Sequence, residues 1–183
     1  LLQLLTLVAM EPPANLEAEA LRDEKVKVLR AIRPIPVEKV DQSVVRGQYG
    51  PGWAGATEAT GYRSEPAVDP ESETETFVAA RLEIDDWRWA GVPFYLRAGK
   101  RLPKRATEIA IQFKDVPQRL FPTVGDEPEP NLLVIRIQPD EGILMRFAAK
   151  VPGLGIDVRP VNMDFAYGSA FTVESPDAYE TLI

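Results

Sequence analysis

Beyond Val37 the sequence becomes a succession of short β-type runs, and this change of texture limits the possible folds more than any motif. The runs are Val44 to Tyr49, Thr76 to Ile84, Pro93 to Ala98, Glu108 to Phe113, Leu132 to Gln138, Ile143 to Lys150 and Val158 to Phe165. Within them helical patterning almost vanishes. The run Leu133-Val-Ile-Arg-Ile-Gln138, then Pro-Asp-Glu-Gly142, then another strand, predicts an antiparallel hairpin with a turn of about four residues.

Helical patterning belongs to the first 33 residues. Leu1 to Met10 spaces its apolar residues for a buried helix, and Glu11-Pro-Pro13 stops it because proline has no N–H to continue the ladder. Asn15 is placed to cap a second helix. That helix carries a stripe of Leu21, Val28, Leu29 and Ile32, sets Asp23 and Lys27 one turn apart, and ends at Pro34 and Pro36. Helices first and strands later, without alternating βαβ units, predict an α+β fold: N-terminal helices followed by a large, mostly antiparallel sheet. The whole of 1–183 reads as one domain, with 1–33 a helical lead-in and 34–183 the sheet-rich part. Gly50 to Glu75 and Pro117 to Pro130, rich in proline, acid and small polar residues, read as loops.

The composition excludes several functions. Twenty-eight acidic against 21 basic residues give a net charge of -7, so there is no general attraction to nucleic acid or to an anionic membrane surface, and any anion must be held locally. The apolar opening is too short to span a bilayer and has no basic region before it, so it is neither a membrane helix nor a signal peptide. Without cysteine there are no disulfides or thiolates, which fits a cytoplasmic protein. Without histidine the usual acid–base side chain is missing as well. No acidic cluster has calcium-loop spacing and zinc lacks its nitrogen and sulfur ligands, so no metal site is expected. The chain opens and closes in mid-pattern, at Leu1 and at Asp177-Ala-Tyr-Glu-Thr-Leu-Ile183, and reads as a fragment.

Several motifs have ordinary explanations. Gly50-Pro-Gly52-Trp-Ala-Gly55 has the glycine spacing of a dinucleotide fingerprint, but Gly61 and Pro66 follow where that motif needs a helix, so it reads as a glycine-rich loop. Glu83, Asp85 and Asp86, and Asp140-Glu141, read as solvated turns. Trp87, Trp89, Phe94 and Tyr95 read as packing residues, because stacking on single-stranded nucleic acid needs an electropositive groove. One segment runs against the global charge. Arg97-Ala-Gly-Lys-Arg-Leu-Pro-Lys-Arg105 places five of the 21 basic residues in nine positions, directly after the strand Pro93-Phe-Tyr-Leu96. Gly99 allows a close approach and Pro103 stiffens the loop. An ammonium at Lys100 and a forked guanidinium at Arg105 suit a phosphate monoester. A solvated basic turn is the alternative.

Several ordered stretches stand out together: Leu1-Leu-Gln-Leu-Leu-Thr-Leu-Val-Ala-Met-Glu-Pro12, Arg22-Asp-Glu-Lys-Val-Lys-Val-Leu29, Arg46-Gly-Gln-Tyr49, Trp87-Arg-Trp89, Gly91-Val-Pro-Phe-Tyr-Leu-Arg-Ala-Gly-Lys100 and Ile135-Arg-Ile-Gln-Pro139. Through them the chain resembles the glucose-6-phosphate dehydrogenase family over almost all 183 positions. The resemblance implies a C-terminal α+β domain whose large sheet supports a homo-oligomer, a dimer or tetramer. The NADP-holding Rossmann domain and the catalytic histidine would lie upstream, the histidine just before Leu1. It implies that the parent enzyme oxidises D-glucose 6-phosphate to 6-phospho-D-glucono-1,5-lactone with NADP, the first step of the pentose phosphate pathway, and that this piece alone does not turn over. Lys100, Arg105 and Gln138 match positions that contact glucose 6-phosphate. Arg97, Arg136, Arg146 and Asp164 match parts of a second, structural NADP site, while Ala106, Ala110 and Leu144 stand where that site uses basic or aromatic side chains. The competing reading is a non-catalytic sheet domain for assembly that binds an anion incidentally.

Overall fold

A computed structural model describes residues 1–116 and 130–171. All but the last residue of the loop expected over Pro117–Pro130, and the closing stretch 177–183, lie outside those residues. The chain forms two compact units, Leu1–Lys104 and Arg105–Ile183.

In the first unit, helices α1 (Leu2–Ala9) and α2 (Ala18–Ala31) precede a single short turn of helix, α3 (Val40–Ser43). Both expected helices are present, but their ends are built differently. Asn15 does not cap α2: its Oδ1 accepts the Glu17 N–H at 2.9 Å, making a side-chain turn just before the helix begins at Ala18. Lys27 pairs with Glu24 at 2.6 Å, three residues back, and not with Asp23. The exit of α2 is stitched to the sheet, with Arg33 N–H donating to Glu83 O at 2.9 Å and Asp85 N–H to Ala31 O at 2.8 Å. Arg33 precedes a proline and so favours the extended conformation this stitching uses.

Strands β1 (Val44–Gly47), β4 (Phe77–Glu83) and β5 (Pro93–Gly99) form an antiparallel sheet in the order β1-β4-β5. One face of that sheet and the two helices enclose the core of Leu5, Ala9, Val28 and Ile84, with Leu82, Trp89, Phe94 and Leu96 packed around it. Trp89 crosses Phe94 edge to face, with ring centroids 5.2 Å apart, and its indole N–H donates to Ala9 O at 2.9 Å. That bond satisfies a carbonyl the helix end leaves open. Trp89 and Phe94 thus pack on the core as expected, whereas Trp87 and Tyr95 are exposed and do not.

The expected loop over Gly50–Glu75 contains structure of its own, a small hairpin of β2 (Gly52–Ala54) and β3 (Thr57–Ala59). Gly55, third glycine of the false dinucleotide fingerprint, turns this hairpin with φ 63°, a conformation that primed hairpin turns reserve for glycine.

The second unit is a four-stranded antiparallel meander, β6 (Thr107–Gln112), β7 (Leu132–Gln138), β8 (Gly142–Lys150) and β9 (Val158–Ala166), followed by α4 (Tyr167–Ala170). The predicted hairpin between β7 and β8 forms, with three connecting residues, Pro139 to Glu141, where about four were expected, because Gly142 already belongs to β8. Residues directly paired across strands share a face. One face is apolar, with rows Ile109–Ile135–Ile143–Phe165 and Ile111–Leu133–Met145–Met163. The other carries the rows Glu108–Arg136–Gly142–Ala166, Ala110–Val134–Leu144–Asp164 and Gln112–Leu132–Arg146–Asn162. The expected antiparallel pairing holds for every ladder among the described residues, and the strands divide among three sheets.

Candidate functional site

Where β5 ends, the chain turns sharply and carries Lys100 to the rim of a shallow cavity. The turn is fixed by contacts on every side. Gly99 allows a close approach: a Cβ there would come 2.9 Å from Phe77 Cδ2 and 3.2 Å from the Leu102 side chain. Lys100 N–H donates to Thr76 O at 2.8 Å, and Thr76 in turn donates its own N–H to Gly47 O at 2.9 Å. Thr76 Oγ1 also accepts the Tyr49 N–H at 2.9 Å. Main-chain atoms on both sides of the cavity are therefore tied together.

The cavity has a volume of about 520 Å3 and is lined by Arg46, Glu75 and Lys100 with the apolar Phe77, Val78 and Ala98. Arg46 is ion-paired with Glu75. The Lys100 ammonium has no hydrogen-bond or ion-pair partner among the described residues and remains available to an anion. Arg101, the next residue, sits at φ 53° and donates to Glu65 Oε1 at 2.9 Å. The Tyr49 hydroxyl and the Glu65 carboxylate hold the Arg101 guanidinium above its ordinary pKa, the tyrosine hydrogen bond being the larger cause.

The other predicted substrate residues lie in the second unit. Arg105 is exposed two residues before β6, and Gln138 ends β7 directly opposite Thr107, so topology puts both at one end of the same ladder. Of the residues matched to a second nucleotide site, Arg97 is exposed in the first unit opposite Ala79, while Arg136, Arg146 and Asp164 share one face of the second unit's sheet. Arg136 reaches across Gly142 to pair with Asp164 and to donate to Phe165 O at 3.3 Å, and its Nε is buried without a partner. Gly142 makes that passage possible, since a Cβ there would meet Arg136 Nη2 at 2.5 Å and Phe165 O closer still.

The acidic turn at Glu83 to Asp86 is structural and more closely engaged than a solvated turn. Arg33 forks onto it, donating from Nε to Asp85 Oδ2 at 3.0 Å and also pairing with Glu83. Asp86 Oδ1 accepts the Trp89 N–H at 2.7 Å. Among the described residues no group of three or more carboxylates is arranged to hold a metal ion. Sequence reading missed the Tyr49–Glu65–Arg101 network, whose members are separated by up to 52 positions.

The structure is thus an α+β chain with cationic side chains presented at strand ends. Comparison with known proteins defines the class further. The family model described as "Glucose-6-phosphate dehydrogenase, C-terminal domain" matches residues 1–183, and the chain belongs to that family. It is 52% identical over its whole length to a glucose-6-phosphate 1-dehydrogenase of Mycolicibacterium smegmatis and 48% identical to one of Bacillus subtilis, in each case covering 37% of the relative. A solved structure described as glucose-6-phosphate dehydrogenase in complex with its substrate glucose-6-phosphate superposes with TM-score 0.82 at 39% identity, over 99% of this chain and 36% of that one. A Mycobacterium avium glucose-6-phosphate 1-dehydrogenase superposes with TM-score 0.74 at 42% identity, over 91% of this chain and 33% of its own. The chain therefore spans little more than a third of the relatives it matches.

Proposed function

We propose that this chain is the C-terminal α+β domain, residues 1–183, of a cytoplasmic enzyme that oxidises D-glucose 6-phosphate to 6-phospho-D-glucono-1,5-lactone with NADP, the first step of the pentose phosphate pathway. Its own part is to grip the substrate and to join subunits into a dimer or tetramer. The observation that carries this reading is the Lys100 ammonium, without a partner among the described residues, on a pinned turn, in a chain matched from end to end by the family. A fixed turn bearing a free cation is a suitable mount for a phosphate monoester, which accepts several charge-assisted hydrogen bonds. Arg105 and Gln138, at the end of the β6–β7 ladder, are proposed as further substrate contacts. The family resemblance assigns the reaction's general base, a histidine, and the dinucleotide domain to the remainder of the protein; this sequence itself has no histidine and no dinucleotide fingerprint followed by a helix.

The apolar rows of the second unit's sheet support the assembly role, with Met163 63% exposed. A second, structural NADP is proposed for Arg136, Arg146 and Asp164, with Arg97 named in the first unit. The buried, partnerless Nε of Arg136 supports it, while Ala110 and Leu144 on the same face leave fewer charged groups for a phosphate than the resemblance calls for. No helix among the described residues is long and apolar enough to cross a membrane.

The test is the reduction of NADP by the whole enzyme with glucose 6-phosphate. Activity no greater than background would sink the assignment and leave the non-catalytic assembly domain. Lys100→Ala and Arg105→Ala should each raise KM for glucose 6-phosphate by about tenfold or more, the loss of one charged hydrogen bond. Unchanged kinetics would remove the altered residue from the site.

A further inference from the structure

The turn that carries Lys100 is held in an uncommon conformation by side chains from a distant part of the first unit. Arg101 has φ 53°, a left-handed backbone that residues other than glycine seldom adopt. Such a conformation persists only where its surroundings enforce it. Two side chains here meet the Arg101 side chain or its partner. Arg101 Nη2 donates to Glu65 Oε1 at 2.9 Å, and the Tyr49 hydroxyl donates to the same carboxylate oxygen at 3.2 Å.

Glu65 is itself brought to this place by a folded strap. Gly61, at φ 92°, bends the chain tightly against Pro51, 3.0 Å from where its Cβ would be. Tyr62 N–H then donates to Tyr49 O at 3.0 Å, the rings of Tyr49 and Tyr62 meet edge to face at 5.8 Å, and Glu65 N–H donates to Tyr62 O at 3.1 Å. The Glu65 side chain is mostly covered, at 23% exposure, against 43% for Arg101. The strap ends at Thr76, whose carbonyl receives the Lys100 N–H. The segment that supplies Glu65 therefore also pins the main chain at Lys100.

We propose that Glu65 is a positioning residue for substrate capture: by holding Arg101 it fixes the turn that presents Lys100. This rests on the reading that Lys100 grips the phosphate of glucose 6-phosphate. Glu65 does not touch the substrate. It keeps the ammonium where binding a phosphate needs no rearrangement of the turn, and an ion pair that is mostly sheltered on its acidic side suits that task better than one open to solvent.

Steady-state kinetics of the whole enzyme test this. Glu65→Gln should raise KM for glucose 6-phosphate about tenfold with kcat changed less than about twofold and KM for NADP unmoved, the pattern of weakened binding of one substrate. Arg101→Ala should do the same, the double variant should be no worse than either single one, and Arg101→Lys should recover most of the loss. If Glu65→Gln leaves KM for glucose 6-phosphate within about twofold while Lys100→Ala raises it, this inference falls and the substrate reading stands. If Lys100→Ala has no effect either, both fall. If Glu65→Gln lowers kcat, weakens NADP binding and lowers the melting temperature together, the residue merely supports the fold, and the inference is overturned.

Discussion

The two units differ in how they secure their apolar side chains. Among the described residues, the five nearly inaccessible apolar ones, Leu5, Ala9, Val28, Ala59 and Ile84, all belong to the first unit, where helices cover one face of a three-stranded sheet. In the second unit no apolar side chain among the described residues reaches that degree of burial, and rows of isoleucine, methionine and phenylalanine occupy one face of a meander held by its ladders. A sheet's register is set by its apolar pattern and turns, and burial of the apolar face supplies most of its stability. The first unit has that burial, whereas the described part of the second shows ladders and tight crossings such as Arg136 over Gly142.

The largest expected effect attacks this contrast directly. Ile84→Ala, at a residue 1% exposed, should lower the unfolding free energy by about 3 kcal/mol. Met163→Ala in the second unit, at 63% exposure, should lower it by less than about 1 kcal/mol. All three tryptophans, Trp53, Trp87 and Trp89, lie in the first unit, so urea titration followed by tryptophan fluorescence reads that unit, with circular dichroism following both. A Met163 loss equal to that at Ile84 would break the comparison.

Next in size is a pair of glycine substitutions with opposite signs. Gly142→Ala should cost about 2 kcal/mol, because the added methyl group meets Arg136 and the Phe165 carbonyl. Gly47→Ala in β1 meets nothing within 4 Å and should be neutral or gain up to about 1 kcal/mol from the unfolded chain's lost freedom. Circular dichroism melts of the two variants check the signs, and a stable Gly142→Ala would mean that Arg136 has another way across the sheet.

The smallest effect is on acid stability. Arg88 forks onto Glu11, with Nε donating at 2.7 Å and Nη2 at 2.6 Å, and its hydrogen bonds hold the Glu11 carboxyl below the usual range. Arg33 does the same to Asp85, again chiefly through a hydrogen bond. A carboxyl whose folded pKa is depressed contributes stability above its unfolded value, and that contribution is lost as pH falls through the folded value. The Glu11→Gln/Asp85→Asn variant should therefore show a shallower decline in fluorescence-monitored stability below about pH 4 than the unaltered protein. An identical slope would assign the acid response elsewhere.

The sequence announced the strands of the second unit well because continuous apolar runs bounded by turn residues have few alternatives; Leu132 to Gln138 matches residue for residue. It concealed the β2–β3 hairpin because strands of three residues flanked by glycine show no alternation to read. The end of α2 was legible from its prolines, whereas its start was not, since Asn15 could serve equally as a helix cap or as the side-chain turn it forms. The basic segment singled out Lys100, which is proposed as a substrate contact. The support beneath it could not be read, because Glu65 meets Arg101 only after Gly61 has folded the strap back, and no local pattern encodes a contact over 36 positions.

The bond from Lys100 N–H to Thr76 O has a consequence for the entropy of binding. With the main chain already immobilised, an anion that takes the ammonium restricts only the side-chain torsions of Lys100, a cost of about 2 kcal/mol at most, and not the further 1 to 2 kcal/mol per residue of ordering a loop. For the phosphate grip proposed for Lys100, affinity would in effect be prepaid during folding, and a change in the strap would weaken a ligand it never meets.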